Sequence, residues 1–240
     1  MKEKPRELSR RDFLKISASA VAALGAPLPE IKTGTSVVFR FETNLPYYAL
    51  TIDGGWRVDI LKAMGDYLQA NGMNATFFLI GEAAKYAERE RPGLLRSLVE
   101  QGNDLGYHVM RGRSEEAYLK MDLGEWREDY LEFTAYLKEV LGPELTQKGL
   151  KSYLRAPWMF FTGAVMALCK EQGLTPYAAS QSIRDVKNQE AIGKGEILLL
   201  HIYPNDLEQM RANLLAVSSL AKGRNISYLD GSRKNCSRGE

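Results

Sequence analysis

The sequence predicts an α/β fold in which a mostly parallel sheet carries helices on its outside. Short apolar runs with strand character alternate with longer stretches whose apolar residues recur at helical spacing. Several of the short runs are almost continuously apolar, which is typical of strands covered on both faces. Repeated strand–helix units favour a parallel sheet that can close into a barrel, with functional side chains at the C-terminal ends of the strands.

Length and charge narrow the class of protein further. The chain has 240 residues, 45% of them hydrophobic, which suits one well-buried core. The net charge is +2, but the first fifteen residues hold six basic and three acidic side chains, so the remainder carries about −1. Nucleic-acid binding needs a clustered positive field, and we therefore expect no nucleic-acid partner.

The N-terminus carries a pattern that is typical of a targeting signal. Ser9-Arg10-Arg11-Asp12-Phe13-Leu14-Lys15 precedes a mildly apolar run, Ile16–Leu28, and this pattern is similar to a twin-arginine signal. The run is shorter than the roughly 20 residues that a membrane span needs. We expect residues 1–28 to be the signal, 29–232 one domain and 233–240 a polar tail. The translocase would be a partner during export, to the periplasm or the outside, with no membrane contact after signal removal.

Eight strands and at least three amphipathic helices are predicted. The strand candidates are Ser36–Phe41, Tyr47–Ile52, Ala75–Ile80, Asp104–Val109, Ser152–Arg155, Pro176–Ala179, Glu196–Ile202 and Ile226–Leu229. Helical faces are set by apolar residues at 60, 61, 64 and 68, at 126, 130, 133 and 137, and at 207, 210, 214 and 217. Glycines, including Gly142 before Pro143, end the helices. Cys169 lies in an apolar helical stretch, so we interpret it as a buried hydrophobe rather than half of a disulfide with Cys236.

Four polar residues follow or end predicted strands. They are Asp53, His108, Arg155 and His201, and the two histidines are the only ones in the chain. Taken singly, each has an ordinary structural explanation, such as a turn for Asp53 before Gly54 and Gly55. Together, at successive strand ends, they indicate a functional site.

The segments around these residues resemble the polysaccharide deacetylase (NodB-homology, carbohydrate esterase family 4-like) family. The matching segments, in family order, are Leu50-Thr51-Ile52-Asp53-Gly54-Gly55, residues 75–81, residues 102–108, Leu154-Arg155-Ala156-Pro157-Trp158, and residues 195–201. The resemblance implies a NodB-type distorted (β/α) barrel. It also implies hydrolysis of a non-peptide carbon–nitrogen bond in an N-acetylated glycan or small amide substrate, in carbohydrate metabolism or cell-envelope processing.

The resemblance also assigns roles by position. Asp53 matches the catalytic base, His201 the general acid, and Arg155 the residue that orients the base. Asp185 matches, more weakly, an acid that raises the pKa of the histidine, because Val186 stands where a Trp is usual. Trp158 matches a residue whose backbone N–H stabilises the oxyanion, and Leu199 matches the lining of the acetyl pocket. His108 matches one ligand of a zinc-like divalent metal.

Two departures from the family pattern affect the metal-binding site. Gly54 stands where the family has a ligand Asp, and Gly112 where it has a second ligand His. A catalytic zinc needs about three protein ligands, so we expect weak metal binding or none. Three hypotheses remain open: a metal-independent hydrolase, a non-catalytic glycan-binding pseudoenzyme on the same fold, and a metal-dependent deacetylase with other ligands.

Export provides the first test. Replacing Arg10 and Arg11 by Lys keeps the charge but alters the paired arginines that the translocase receptor reads. We expect the variant to accumulate as an uncleaved precursor in the cytoplasm, measured by cell fractionation and immunoblotting. A Lys2→Arg and Lys4→Arg variant is the control, and normal export of the Arg10→Lys, Arg11→Lys variant would contradict the prediction.

Overall fold

The computed structural model describes residues 36–40, 47–183, 195–202, 207–220, 225–227 and 229. The strands are β1 Tyr47–Gly54, β2 Thr76–Ile80, β3 Asp104–Val109, β4 Leu150–Leu154, β5 Thr175–Pro176, β6 Gln181–Ser182, β7 Glu196–His201 and β8 Asn225–Ser227. The helices are α1 Val58–Ala70, α2 Gly81–Glu90, α3 Leu94–Glu100, α4 Glu115–Lys120, α5 Leu123–Gly149, α6 Gly163–Gln172 and α7 Leu207–Leu220, with a short 3-10 helix at Pro157–Met159.

The sheet confirms the predicted parallel architecture. Its strand order is β5-β4-β3-β2-β1-β7-β6, and every pairing between these strands is parallel. The short strand β8 lies beside the first residues of β1, on the edge that β2 occupies further along. The sheet curls into a half-barrel with the helices outside. The predicted barrel is therefore open, in the distorted form that the resemblance implies.

Two predictions about elements were inaccurate. The segment 36–40 forms isolated bridges, from Val38 to Tyr177 and from Arg40 to Glu196, instead of a strand. It links the β5 side of the sheet to β7 in this way. The strand β6, only two residues long, was not predicted, because a two-residue strand leaves no periodic pattern in a sequence.

The core lies on both sides of the sheet. The larger cluster packs the outer face against the helices and includes Leu50, Ile52 and the predicted α1 residues Ile60, Leu61 and Met64. A smaller cluster fills the inner face with Ala49, Phe78, Tyr153, Tyr177, Ile197 and Leu229. Because strand residues alternate between faces, even and odd positions of β1, β2, β4 and β7 belong to different clusters.

Helix boundaries follow the expected chemistry. Asp122 and Glu125 form a reciprocal capping box that starts α5. The segment α5 is interrupted at Gly142, where φ is 74° and ψ is 171°, immediately before Pro143, so the predicted break appears as a kink. Cys169 on α6 is buried, and burial raises the pKa of its thiol to about 12, which agrees with its interpretation as a hydrophobe. Cys236 lies outside the described residues.

A close contact on the inner face tests the packing. A Cβ added to Gly106 of β3 would lie 2.7 Å from Phe78 Cε1, so Gly106→Ala must displace the buried Phe78 ring. We expect a loss of about 1–3 kcal/mol in the free energy of unfolding, measured by chemical denaturation. Gly163→Ala in the first turn of α6 is the matched control, since a Cβ there meets no atom within 4 Å. Equal stability of the two variants would contradict this account of the packing.

Candidate active site

The predicted site residues lie on the inner face of the half-barrel. On β1 and β7, Leu50, Ile52, Leu198 and Leu200 pack outwards with the helices, so Asp53 and His201 project inwards. Asp53 and His201 are direct Cα partners in the β1–β7 pairing, and neighbouring strands are about 4.8 Å apart. Residues 148 positions apart therefore meet at the C-terminal edge of the sheet.

Arg155 connects this edge across the barrel. Its guanidinium is fully buried, and its Nη1 donates to Asp53 Oδ1 at 3.0 Å and to Thr51 Oγ1 at 2.6 Å. Its Nε and Nη2 donate to the carbonyls of Tyr177 (3.2 Å) and Ala178 (3.0 Å). Burial lowers the pKa of Arg155 and the carboxylate of Asp53 opposes that shift, so the buried cation depends on its partner.

Thr51 and Phe78 complete the surroundings of the guanidinium. Thr51 donates to the carbonyl of Leu198 at 2.7 Å while accepting from Arg155, which fixes the hydroxyl between β1 and β7. The centre of the guanidinium lies 4.4 Å from the centroid of the Phe78 ring, a cation–π arrangement. The Arg155–Asp53 pair is thus surrounded by the Thr51 hydroxyl, two backbone carbonyls and the Phe78 ring. Asp53 Oδ2 receives no hydrogen bond from the described residues, so it remains available to water or substrate.

His108 lies at an irregularity in the sheet. The β2–β3 register passes from Leu79–Tyr107 to Ile80–Val109, so His108 is the extra residue of a bulge. Its Nδ1 is 2.6 Å from the carbonyl oxygen of Arg155. A carbonyl only accepts, so Nδ1 carries the proton and Nε2 bears the lone pair. Burial lowers the pKa of His108, and Asp53 counters this in part, which favours the neutral ring.

Leu199 and Trp158 occupy different parts of the site. Leu199 is the Cα partner of Thr51 and is buried on the inner face. Trp158 lies beyond β4 and is half-exposed, with a φ of 49°, and Met159 follows with a φ of 60°. Left-handed backbone costs an L-residue about 1–2 kcal/mol, and strain of this kind is found at functional sites. Asp185 lies outside the described residues.

The residues present do not form the implied metal site. Within the described residues no group of three or more His, Cys, Asp or Glu side chains is arranged to hold a metal ion. Gly54 and Gly112 offer no side chain, and His108 contributes one nitrogen. Space exists beside Gly54, where an added Cβ would be 3.7 Å from Ile202, but its φ of +114° is one that L-residues rarely adopt. An Asp at position 54 would therefore have room for its side chain but would be strained in its backbone.

One supporting group was not predicted. Asp129, buried on α5, accepts from the Tyr107 hydroxyl at 2.7 Å and from the backbone N–H of Met110. These contacts hold the end of β3 on either side of His108. Burial raises the pKa of Asp129, whereas its hydrogen bonds lower it. The only sequence signal was a charged residue three positions after Trp126 on a helix face that is otherwise buried.

The parallel half-barrel and the polar residues at its strand ends define an α/β protein with a candidate site at the C-terminal edge of the sheet. The sequence model of the polysaccharide deacetylase family matches residues 42–177, more than half of the chain. The chain belongs to the polysaccharide deacetylase family. The match includes Asp53, His108 and Arg155 but ends before His201. A twin-arginine signal matches residues 7–27, which confirms the address for export by that pathway.

Two similar proteins are named as deacetylases. A chitooligosaccharide deacetylase from Sinorhizobium fredii is 27% identical over 68% of this chain and 74% of its own length. A peptidoglycan-N-acetylglucosamine deacetylase from Bacillus cereus is 25% identical over 78% of this chain and 87% of its own. No helix in the described part of the chain is long and apolar enough to cross a membrane.

Solved structures share the fold. A family 4 carbohydrate esterase from Bacillus anthracis has a TM-score of 0.63 at 20% identity, covering 96% of this chain and 94% of its own. A family 4 pseudoenzyme from Bacillus anthracis has a TM-score of 0.65 at 17% identity, covering 92% and 83%. The same architecture thus occurs in proteins named as enzymes and as pseudoenzymes, so the fold alone does not assign activity.

The lowered pKa of His108 predicts a pH dependence of stability. The unfolded chain, with a histidine pKa of about 6.5, binds the proton more tightly than the folded chain. Stability from this source is complete above about pH 6.5 and falls as the pH drops towards the lower folded pKa. Urea titrations from about pH 7 to pH 5 should show a smaller loss for His108→Asn than for wild type.

The second histidine supplies the control for this measurement. His201→Gln removes the only other histidine, which is partly exposed, and should keep most of the wild-type pH dependence. If His108→Asn loses stability with pH as steeply as wild type does, His108 is not the buried neutral group described here.

Proposed function

We propose that this protein removes acetyl groups from an N-acetylated glycan by acid–base hydrolysis without a tightly bound metal. The observation that carries the proposal is the register of Asp53 and His201, a carboxylate and an imidazole side by side on the inner face. One side chain can take a proton and the other can give one within reach of the same small group. The names of the curated relatives support a glycan substrate.

The proposed reaction uses water and two proton transfers. Asp53 Oδ2 accepts a proton from water as the water oxygen bonds to the amide carbonyl carbon. A protonated His201 then gives its proton to the leaving nitrogen as the carbon–nitrogen bond breaks. Acetic acid, which ionises to acetate, and a free amine are released, and the proton held by Asp53 returns to His201 through solvent. Arg155 holds Asp53 Oδ1 at 3.0 Å and so fixes the carboxylate, and the backbone N–H of Trp158 is assigned to the developing oxyanion.

A non-catalytic glycan-binding role is the second candidate, and one observation favours it. Gly54 and Gly112 remove two ligands of the family metal, and the φ of +114° at Gly54 disfavours an Asp there. Without metal the attacking water keeps its high pKa, and hydrolysis would depend on Asp53 and His201 alone. A groove that recognises a glycan without cleaving it would still use the same inner face.

Acetate release decides between the candidates. The mature protein should release acetate from N-acetylated chitooligosaccharides or peptidoglycan fragments at a rate unaffected by a chelator or by added zinc. Asp53→Asn and His201→Gln should each lower the rate by about 10²–10⁴-fold, as the loss of a general base or acid does. Asp66→Asn on α1, an exposed carboxylate paired with Lys62, is the matched control and should retain the rate.

Each other outcome has a definite meaning. Glycan binding with no acetate under any condition would support the non-catalytic role and contradict hydrolysis. A rate abolished by chelator and restored by zinc would contradict the metal-free mechanism. Asp53→Asn leaves the Arg155 cation buried and unpaired, so its folding is checked by thermal denaturation, and His201→Gln provides the independent result.

A further inference from the structure

We propose that Tyr118 is a positioning residue, which holds the left-handed turn at Trp158 and Met159 and thereby fixes the backbone N–H of Trp158. This inference rests on the proposed function, which assigns that N–H to the developing oxyanion. It adds a side chain from outside the strand ends, because Tyr118 lies on α4, one of the helices.

The turn after β4 is strained. Trp158 has φ 49° and ψ 14°, and Met159 has a φ of 60°, which are values that L-residues disfavour. The N–H groups of Met159 and Phe160 donate to the carbonyls of Ala156 (2.9 Å) and Pro157 (3.0 Å), and within the described residues the Trp158 N–H meets no acceptor. An ordinary turn would make similar hydrogen bonds without this strain. Side-chain packing must therefore favour the left-handed form.

The Tyr118 ring supplies packing of this kind from another element. The indole of Trp158 is half-exposed, so its own burial gives the turn little support. Its ring centroid lies 5.5 Å from that of Tyr118 and 6.5 Å from that of Phe160, which belongs to the same segment as Trp158. Tyr118 is buried, and α4 packs on the 3-10 helix that contains Trp158. Aromatic pairs at these separations stabilise beyond the area that they bury.

Tyr118 is itself fixed on two sides. Its hydroxyl donates to the carbonyl of Arg111 at 2.6 Å and accepts from the N–H of Arg113 at 3.0 Å. Burial raises the pKa of Tyr118 to about 12, so the hydroxyl keeps its proton at neutral pH. Its ring also lies 6.0 Å from that of the buried Trp126, with an angle of 24° between the planes. The loop after β3 and α5 thus set the position of the ring that packs on Trp158.

Kinetics test the effect of this contact on the proposed reaction. An oxyanion forms only as the reaction proceeds, so a displaced Trp158 N–H should lower kcat and leave KM near its wild-type value. Tyr118→Leu removes the ring and the hydroxyl, and we expect kcat for acetate release to fall by about 10²-fold. Tyr118→Phe keeps the ring and should lose much less.

Hydrogen exchange reads the turn without any substrate. In wild-type protein the amides of Met159 and Phe160 should exchange slowly, because each is hydrogen-bonded in the turn. Tyr118→Phe should speed exchange at Arg113, whose partner it removes, by about fivefold while Met159 and Phe160 stay protected. Tyr118→Leu should speed exchange at all three amides.

Tyr136→Leu is the matched control. Tyr136 is a partly buried tyrosine on α5, and its hydroxyl donates to the carbonyl of Ala84 at 3.4 Å, away from the turn. This variant should keep the wild-type kcat and the wild-type exchange rates of Met159 and Phe160. Thermal denaturation checks the folding of every variant, and Tyr118→Met takes the place of Tyr118→Leu if the latter does not fold.

The outcomes separate this inference from the proposed function. Exchange of Met159 and Phe160 in wild-type protein at the rate of an unstructured peptide would overturn the inference without any variant. Unchanged protection in Tyr118→Leu, a loss of kcat no larger than in Tyr136→Leu, or a change confined to KM would also overturn it. If wild-type protein releases no acetate, the proposed function fails, and the exchange rates still decide whether Tyr118 holds the turn.

Discussion

The buried pair between Arg155 and Asp53 is the interaction on which the site depends. A guanidinium with no solvent exposure is tolerated because its donors meet one carboxylate, one hydroxyl and two carbonyls. Removing a buried charge from such a set leaves the others unpaired, which typically costs about 3–5 kcal/mol. The orientation of Asp53 and the position of the β4 end are consequently set by the same contacts. The Arg155–Asp53 pair therefore belongs to the buried interior as well as to the site.

Much of the fold and part of the site were predictable from the sequence. Apolar runs separated by helical periods indicate a parallel sheet, and parallel strands present their C-terminal ends at one edge. That reasoning placed Asp53, His108, Arg155 and His201 at the same edge. It did not show that β7 is the direct neighbour of β1, since strand order depends on contacts between distant segments.

The contributions of Thr51, Phe78 and Asp129 were not predictable for a different reason. A threonine and a phenylalanine inside an apolar strand look like core residues, and only the approach of Arg155 gives them their role. Asp129 lies among charged residues of α5 and is buried by contact with Tyr107. The left-handed conformation of Trp158 also has no sequence signature, because such values are rare for large side chains.

The reach of Arg155 also bears on the order of folding. Its contacts with Thr51 and Asp53 join residues 104 and 102 positions apart, across a sheet in which β2 and β3 lie between β4 and β1. Such contacts close only after the intervening strands have paired, because long loops lose entropy before the contact forms. We therefore expect the guanidinium to be satisfied late, after the main barrier to folding is crossed. Interactions formed at that stage govern the rate of unfolding far more than the rate of folding, so we expect this pair to act chiefly by slowing the unfolding of the assembled sheet.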